Sequence, residues 1–121
     1  MARRGAFSEE TRNLVLRRCF AKCELCGAAP VQEIHHRIPR GMGGVAGDHA
    51  AVVESPANAL GLCRGCHHWA ERGDRAQARE WGIVLRRSAD PAAEPFYSPR
   101  RRGWFVLDAW GGKGPDFSKL K

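Results

Sequence analysis

Two Cys-x-x-Cys pairs, Cys23/Cys26 and Cys63/Cys66, constrain the fold of this chain more than any other feature. A structural Zn²⁺ ion takes four ligands at tetrahedral angles, and two such pairs supply two thiolates each. The pairs enclose residues 27–62, a longer interval than a simple zinc ribbon needs. We therefore predict a structural Zn²⁺ site on Cys23, Cys26, Cys63 and Cys66, with a strand–loop–strand unit between the two pairs.

Other uses of these cysteines are less consistent with the pattern. A redox-active Cys-x-x-Cys needs one pair rather than two. Disulfides are disfavoured because the first residues lack the apolar run of a secretion signal. Cys19 is the fifth cysteine, and we interpret it as a small buried residue on a helix. His67 directly follows Cys66, so an imidazole in place of one thiolate remains an alternative.

Length and composition indicate one globular domain with a basic surface. The chain has 121 residues, of which 43% are hydrophobic and 27% charged, a profile that argues against global disorder. It lacks a run of about 18 apolar residues, so we expect no membrane-spanning helix and a cytoplasmic protein. The net charge of +7 predicts a polyanionic partner, since each neutralised phosphate releases counterions.

Local patterns predict a mixture of helices and strands. Ser8 is a suitable N-cap for a first helix, which we place over residues 9–20. Downstream, the predicted elements are strands over residues 31–38 and 58–63, helices over 66–72 and 74–81, and strands over 83–85 and 103–108. Asp74 is the expected cap of the second of these helices, and residues 90–99 are expected to be irregular. We expect an α+β domain over residues 8–110, with a flexible basic arm over 1–7 and a flexible basic tail over 111–121.

The histidines between the cysteine pairs carry a family resemblance. The chain reads Ile34-His-His-Arg-Ile-Pro-Arg-Gly-Met-Gly-Gly44 and later Asn58-Ala-Leu-Gly-Leu-Cys-Arg-Gly-Cys-His67. Together with the cysteines, these segments resemble the HNH endonuclease family, and more narrowly its small zinc-bearing members from bacteriophages. The resemblance covers roughly residues 20–72.

The resemblance implies a ββα-metal (His-Me finger) core framed by the zinc site. His36 matches the general base that activates water, and His35 matches the preceding ligand of the catalytic metal. Asn58 matches the residue that braces the loop and orients the base, and His67 matches the second metal ligand. The implied catalytic cofactor is a divalent metal, Mg²⁺, Mn²⁺ or Ni²⁺.

This chemistry suits phosphodiester hydrolysis. An imidazole can accept a proton near neutral pH, and a divalent cation can stabilise charge on the scissile phosphate. The chain departs from the family pattern at two points. The interval from His36 to Asn58 is long, and we expect it to hold an Ω-type loop over residues 45–54. Glu71 lies one helical turn after His67. Glu71 is either an added metal ligand or a helix-surface charge, and we favour the surface interpretation.

The basic residues beside these histidines are candidates for DNA contacts. Arg37, Arg40 and Arg64 are placed to clamp phosphates, and residues 100–102 offer a second patch. We expect a monomeric or weakly dimeric DNA-nicking enzyme, with a phage packaging terminase as a possible partner by analogy. The alternative from another class is a non-catalytic zinc module that binds nucleic acid or protein.

Overall fold

The computed structural model describes residues 6–40, 48–116 and 118, with no account of the Asp48 side chain. The chain forms a small α+β domain, as predicted. Its helices are α1 (Glu9–Arg18), α2 (Asp48–Val53), α3 (Arg64–His68) and α4 (Arg75–Glu80). Its strands are β1 (Glu33–His36), β2 (Ala59–Leu62), β3 (Phe96–Ser98), β4 (Gly103–Leu107) and β5 (Lys113–Pro115).

Helix α1 begins where its capping residue predicts. The Ser8 hydroxyl accepts a hydrogen bond from the Thr11 amide at 3.1 Å, which satisfies one of the free donors of the first turn. The helix ends at Arg18, two residues before the predicted end, because Phe20 and Ala21 adopt positive φ angles of 55° and 59°. This left-handed turn directs the chain into the first cysteine pair.

Strands β1 and β2 form an antiparallel hairpin, with Glu33 opposite Leu62 and His36 opposite Ala59. Every residue of β2 is buried. Both strands are shorter than predicted, because the pairing begins at Glu33 opposite Leu62 and ends at His36 opposite Ala59. The connection between them includes α2, where we expected part of an Ω-type loop over residues 45–54; residues 45–47 of that loop lie outside the described residues.

The segment after β2 carries two short helices joined by a wider turn. Helix α3 runs directly into a π-helical turn over Trp69–Gly73, closed by a 2.9 Å hydrogen bond from the Asp74 amide to the Trp69 carbonyl. The Asp74 side chain then caps α4, as predicted, by accepting from the Gln77 amide. The predicted strand over residues 83–85 is wrong: these residues have no strand partner and form an irregular segment, in which Ile83 and Val84 are buried and Leu85 is half-buried.

Strands β3, β4 and β5 form a second antiparallel sheet in that order. β3 lies in a stretch that we expected to be irregular, and β5 lies in the expected flexible tail. The Lys113 ammonium of β5 is 3.0 Å from the Glu24 carboxylate, which ties this part of the tail to the first cysteine pair. Phe7, assigned to the flexible arm, is also buried.

Glu24 is a buried ionic anchor beside the first cysteine pair. Its carboxylate accepts two hydrogen bonds from Arg18, at 3.1 and 2.7 Å, and one from the Gly61 amide. Burial acts to raise the pKa of Glu24, but Arg18 and Lys113 outweigh it and hold that pKa below its usual value. The charge is thus stabilised where helix α1, strand β2 and strand β5 meet.

The main hydrophobic core lies directly against the cysteine pairs. Its buried members include Leu25, Leu60, Leu62, Ile83, Phe96 and Leu107. Among the described residues, no helix is both long and apolar enough to cross a membrane.

Candidate functional site

The four paired cysteines converge, as their spacing predicts. The Sγ atoms of Cys23, Cys26, Cys63 and Cys66 all lie within 4.8 Å of one another. The Cys26 and Cys63 sulfurs are 3.9 Å apart. Tetrahedral Zn²⁺ with Zn–S bonds of about 2.3 Å requires sulfurs roughly 3.8 Å apart, so the cluster has the dimensions of a structural zinc site.

The electrostatics of this cluster also fit a bound cation. Burial acts to raise the pKa of Cys26, but hydrogen bonds from the Ala29 and Ala28 amides outweigh it and lower the pKa to about 7. Burial and the neighbouring sulfurs raise the pKa of Cys66. Four thiols this close cannot all ionise unless a cation offsets their charge, and metal binding provides that offset.

A second cluster of possible metal ligands lies beside the β-hairpin. It combines His35 of β1, His67 of α3 and Glu71 of the π-helical turn, whose ligand atoms lie within 4.8 Å of one another. The family resemblance implies that His35 and His67 are the two protein ligands of one metal ion. For Glu71 we favoured a surface role, but the structure brings the Glu71 carboxylate to 2.7 Å from His67 Nε2.

His35 is held in the form that binds metals. Its Nε2 atom lies 2.8 Å from the Ile83 carbonyl, so Nε2 carries the proton and donates it, leaving Nδ1 as the ligand atom. Burial lowers the pKa of His35 to about 4, with the neighbouring histidines as smaller contributors. The imidazole is therefore neutral near pH 7, with a lone pair available.

His67 has a matching arrangement of partners. Its Nδ1 atom lies 2.5 Å from the Glu33 carboxylate, which orients the ring and supplies an acceptor for the Nδ1 proton. The Nε2 atom lies 2.7 Å from the Glu71 oxygen, so the two are bridged either by a proton on Nε2 or by a metal ion. Sequence reasoning did not identify Glu33, whose only sequence signal is its place two residues before His35 on β1.

His36 lies beside this second cluster. Its ring stacks on Phe7, with centroids 3.9 Å apart and planes 14° from parallel. It also lines a pocket of about 220 Å³, together with Ile34, His35, Pro39, Arg40, His67, Glu71, Arg75 and Val84. The two adjacent histidines of β1 therefore have different surroundings, as the alternation of a strand predicts.

Asn58 is a fully buried clamp on the connection between β1 and β2. Its amide nitrogen donates to the carbonyl oxygens of Ile38 and Val53, at 3.1 and 2.9 Å. Its Oδ1 atom accepts from the Ile38 amide at 2.7 Å. These bonds hold both ends of the connection and fix the backbone two residues after His36, so Asn58 is a positioning residue.

Arg37 requires a correction. We expected it to contact DNA phosphates, but its side chain is fully buried and its guanidinium donates to backbone carbonyls. The acceptors, at 2.7–3.1 Å, are Ala57, Gly82, Pro91 and Glu94. Burial lowers the pKa of Arg37 to about 10. Its hydrogen bonds connect segments that are far apart in the sequence. Because the side chain is fully buried, it cannot contact a phosphate.

The other predicted contact residues remain near the surface. Arg40 lines the pocket that contains His36, whereas Arg64 is exposed near His67 and His68. Cys19 is buried at the end of α1, outside the four-cysteine cluster, as predicted.

Comparisons with known proteins do not assign this chain to a family. No family model matches the sequence, and no curated protein or solved structure is significantly similar to it. The functional argument therefore rests on the residues and on their geometry.

Proposed function

We propose that this chain is a divalent-metal-dependent DNA endonuclease of the HNH type. The observation that carries the proposal is the convergence of His35, His67 and Glu71 in one pocket with His36. Two paired strands followed by a helix present these residues, which is the order expected for a ββα-metal core. A purely structural metal site has no need of a further imidazole in an open pocket.

His35, His67 and Glu71 would hold the catalytic cation, with two nitrogen ligands and one oxygen ligand. When bound, such a cation stabilises the negative charge that develops at the scissile phosphate. Three protein ligands leave further coordination positions for a phosphate oxygen. Glu33 orients His67 through Nδ1, and such partners of metal-binding histidines contribute to metal affinity.

His36 would act as the general base. Its imidazole would accept the proton of the attacking water as the new bond to phosphorus forms and the bond from phosphorus to the leaving 3′ oxygen breaks. The leaving oxygen would take up a proton from solvent and become a 3′ hydroxyl. Stacking against Phe7 restricts the orientation of the ring. Asn58 supports this orientation through the Ile38 backbone.

The four-cysteine cluster would serve as a rigid frame for this reaction. Cys63 directly follows β2 and caps α3 by accepting from the Cys66 amide, and Cys66 directly precedes His67. A Zn²⁺ ion on these cysteines would fix the helix that carries a catalytic ligand. Catalytic groups need placement to about half an ångström, and such a frame provides it.

One site of this kind cuts one strand, so we expect the monomer to nick duplex DNA. The biological setting rests on the family resemblance alone. From that resemblance we extend the proposal to a phage-encoded protein that acts in the host cytoplasm. There it would process DNA during genome packaging, together with a terminase.

A plasmid assay tests the proposal. Purified protein is incubated with supercoiled DNA and Mg²⁺, Mn²⁺ or Ni²⁺, next to the variants His36→Ala and His49→Ala. His49 lies on α2 and is absent from the pocket among its described lining residues, so it is the matched histidine control. We expect nicking by the wild type and by His49→Ala, and a loss of roughly 10²- to 10⁴-fold in His36→Ala.

Two results would contradict the proposal. Equal activity of the wild type and His36→Ala, with zinc content unchanged, would show that His36 is not the base. Salt-sensitive DNA binding without cleavage under any of the metals would favour the non-catalytic zinc module.

A further inference from the structure

A second, larger groove of about 600 Å³ adjoins the pocket that contains His36. The two share Pro39, Arg75 and Val84 in their walls, so one opens into the other. We call the larger one the arginine groove. Its described lining residues are Ile38, Pro39, Arg75, Arg79, Val84, Leu85, Arg86, Arg87, Ala89 and Glu94.

The arginine groove concentrates positive charge at the surface. Its four arginines are exposed, and Glu94 is the only acidic residue among the described residues that line it. In the part of the chain that the structure describes, none of these four guanidiniums forms an ion pair with a carboxylate. The groove thus presents unneutralised cations to a ligand.

Local structure places these arginines together. Arg75 and Arg79 are four residues apart on α4, so their side chains share one face of the helix. Two like charges at this spacing destabilise a helix slightly, which favours a role in binding an anion. Arg86 and Arg87 follow Leu85, whose amide donates to the Arg37 carbonyl at 2.7 Å. That bond attaches the second arginine pair to the end of β1.

We propose that the arginine groove binds the sugar–phosphate backbone of the DNA strand that is cut, on one side of the scissile phosphate. This inference rests on the proposed endonuclease function. Arg75 lies where the two cavities meet, so it would contact the phosphate next to the reacting one. Arg79, Arg86 and Arg87 would contact phosphates farther along the same strand.

The composition of the groove fits such a backbone. Guanidinium groups bind phosphate oxygens in a bidentate manner, and they form the walls. Leu85 and Ala89, which are half-buried, supply apolar surface against which a deoxyribose can pack. Four cations in one open channel suit a repeating polyanion better than a single small anion.

The test compares two triple variants of equal charge. Arg79→Gln/Arg86→Gln/Arg87→Gln removes three cations from the groove and leaves Arg75 in place. Arg12→Gln/Arg17→Gln/Lys22→Gln removes three exposed cations on and just after α1, none of which lines either cavity among the described residues. Binding of fluorescent duplex DNA is measured by anisotropy at several salt concentrations, without added divalent metal.

We expect the groove variant to lower the slope of log affinity against log salt by about 2.7, since each lost phosphate contact contributes about 0.9. Its affinity near 0.1 M salt should fall on the order of a hundredfold. The α1 variant should change the slope by less than about 1. Zinc content and thermal unfolding should match the wild type in both variants.

The binding assay and the plasmid assay separate the two proposals. Equal slopes for the two triple variants would overturn the groove proposal, even if the wild type nicks DNA. A reduced slope only in the groove variant would support it, even if no metal produces nicking. Displacement of DNA by poly-glutamate of matched charge at equal concentration would point to an acidic protein ligand and overturn the assignment to DNA.

Discussion

The two candidate metal centres of this chain differ in completeness and in access. The cysteine cluster offers four thiolates and adjoins the main hydrophobic core, with Cys23 and Cys63 buried. The cluster of His35, His67 and Glu71 offers three ligands of mixed type and faces a pocket. A closed set of four ligands suits a structural metal, whereas an incomplete set suits a metal that must also bind a substrate. Under the proposed function, the cysteine cluster would be the frame and the cluster of His35, His67 and Glu71 would be the reactive site.

Removing one thiolate should have the largest effect. We expect Cys63→Ser to lose Zn²⁺ and to unfold at 25 °C, because structural zinc contributes roughly 10 kcal/mol or more to folding in small domains. Circular dichroism and metal analysis by mass spectrometry measure this outcome. Cys19→Ser is the matched control, since Cys19 lies outside the cluster and its sulfur is 3.2 Å from the Val15 carbonyl, a contact that a serine hydroxyl can retain. Normal zinc content in Cys63→Ser would contradict the four-thiolate site.

Removing the Arg37 guanidinium should have the next largest effect. Arg37 directly follows β1, which carries His35, and its guanidinium connects this strand to the carbonyl oxygens of Gly82 and Ala57. We therefore expect Arg37→Met to lower the free energy of unfolding by about 3 kcal/mol or more. The cause is the loss of donors to several buried carbonyl oxygens. Urea titration measures this change, with the exposed Arg64→Met expected to stay within about 0.5 kcal/mol of the wild type. Equal stability of the two variants would show that Arg37 does not stabilise the fold around the cluster of His35, His67 and Glu71.

Changing Glu71 should affect metal binding with little effect on folding. We expect Glu71→Gln to weaken Mn²⁺ binding about a hundredfold, because Glu71 is the only anionic ligand in the cluster with His35 and His67 among the described residues. Isothermal titration calorimetry measures the affinity, with zinc content and thermal unfolding unchanged. Glu80→Gln on α4 is the matched surface variant. Unchanged Mn²⁺ affinity in Glu71→Gln would restore the interpretation of Glu71 as a surface charge.

The sequence predicts the four-cysteine cluster better than it predicts the cluster of His35, His67 and Glu71. The spacing of the cysteines is a local signal, and it correctly predicts a four-sulfur cluster. The hairpin between the pairs and the capping of α1 and α4 are likewise predicted from short patterns. These features depend on residues that are close in sequence or on the strong preferences of one metal.

Features that depend on distant partners are the ones that sequence reasoning missed. Arg37 looks like a phosphate contact because nothing near it reveals that the carbonyls of Gly82 and Glu94 surround it. Strand β5 has a composition of Lys, Gly and Pro that rarely forms strands, and it forms by pairing with β4. Glu71 reaches His67 at the usual spacing of one helical turn, but which cation they share is not encoded in that spacing.

The Asn58 clamp has a consequence for engineering. Because one buried amide holds Ile38 and Val53, the path between them begins and ends at fixed points. The entropy of closing a loop rises slowly with its length, by about 0.6 kcal/mol for each doubling. Extra residues, or a folded reporter whose termini lie close together, should therefore be accepted between Ile38 and Val53 without displacing the histidines of β1. The connection would then be an attachment point for a separate DNA-recognition module.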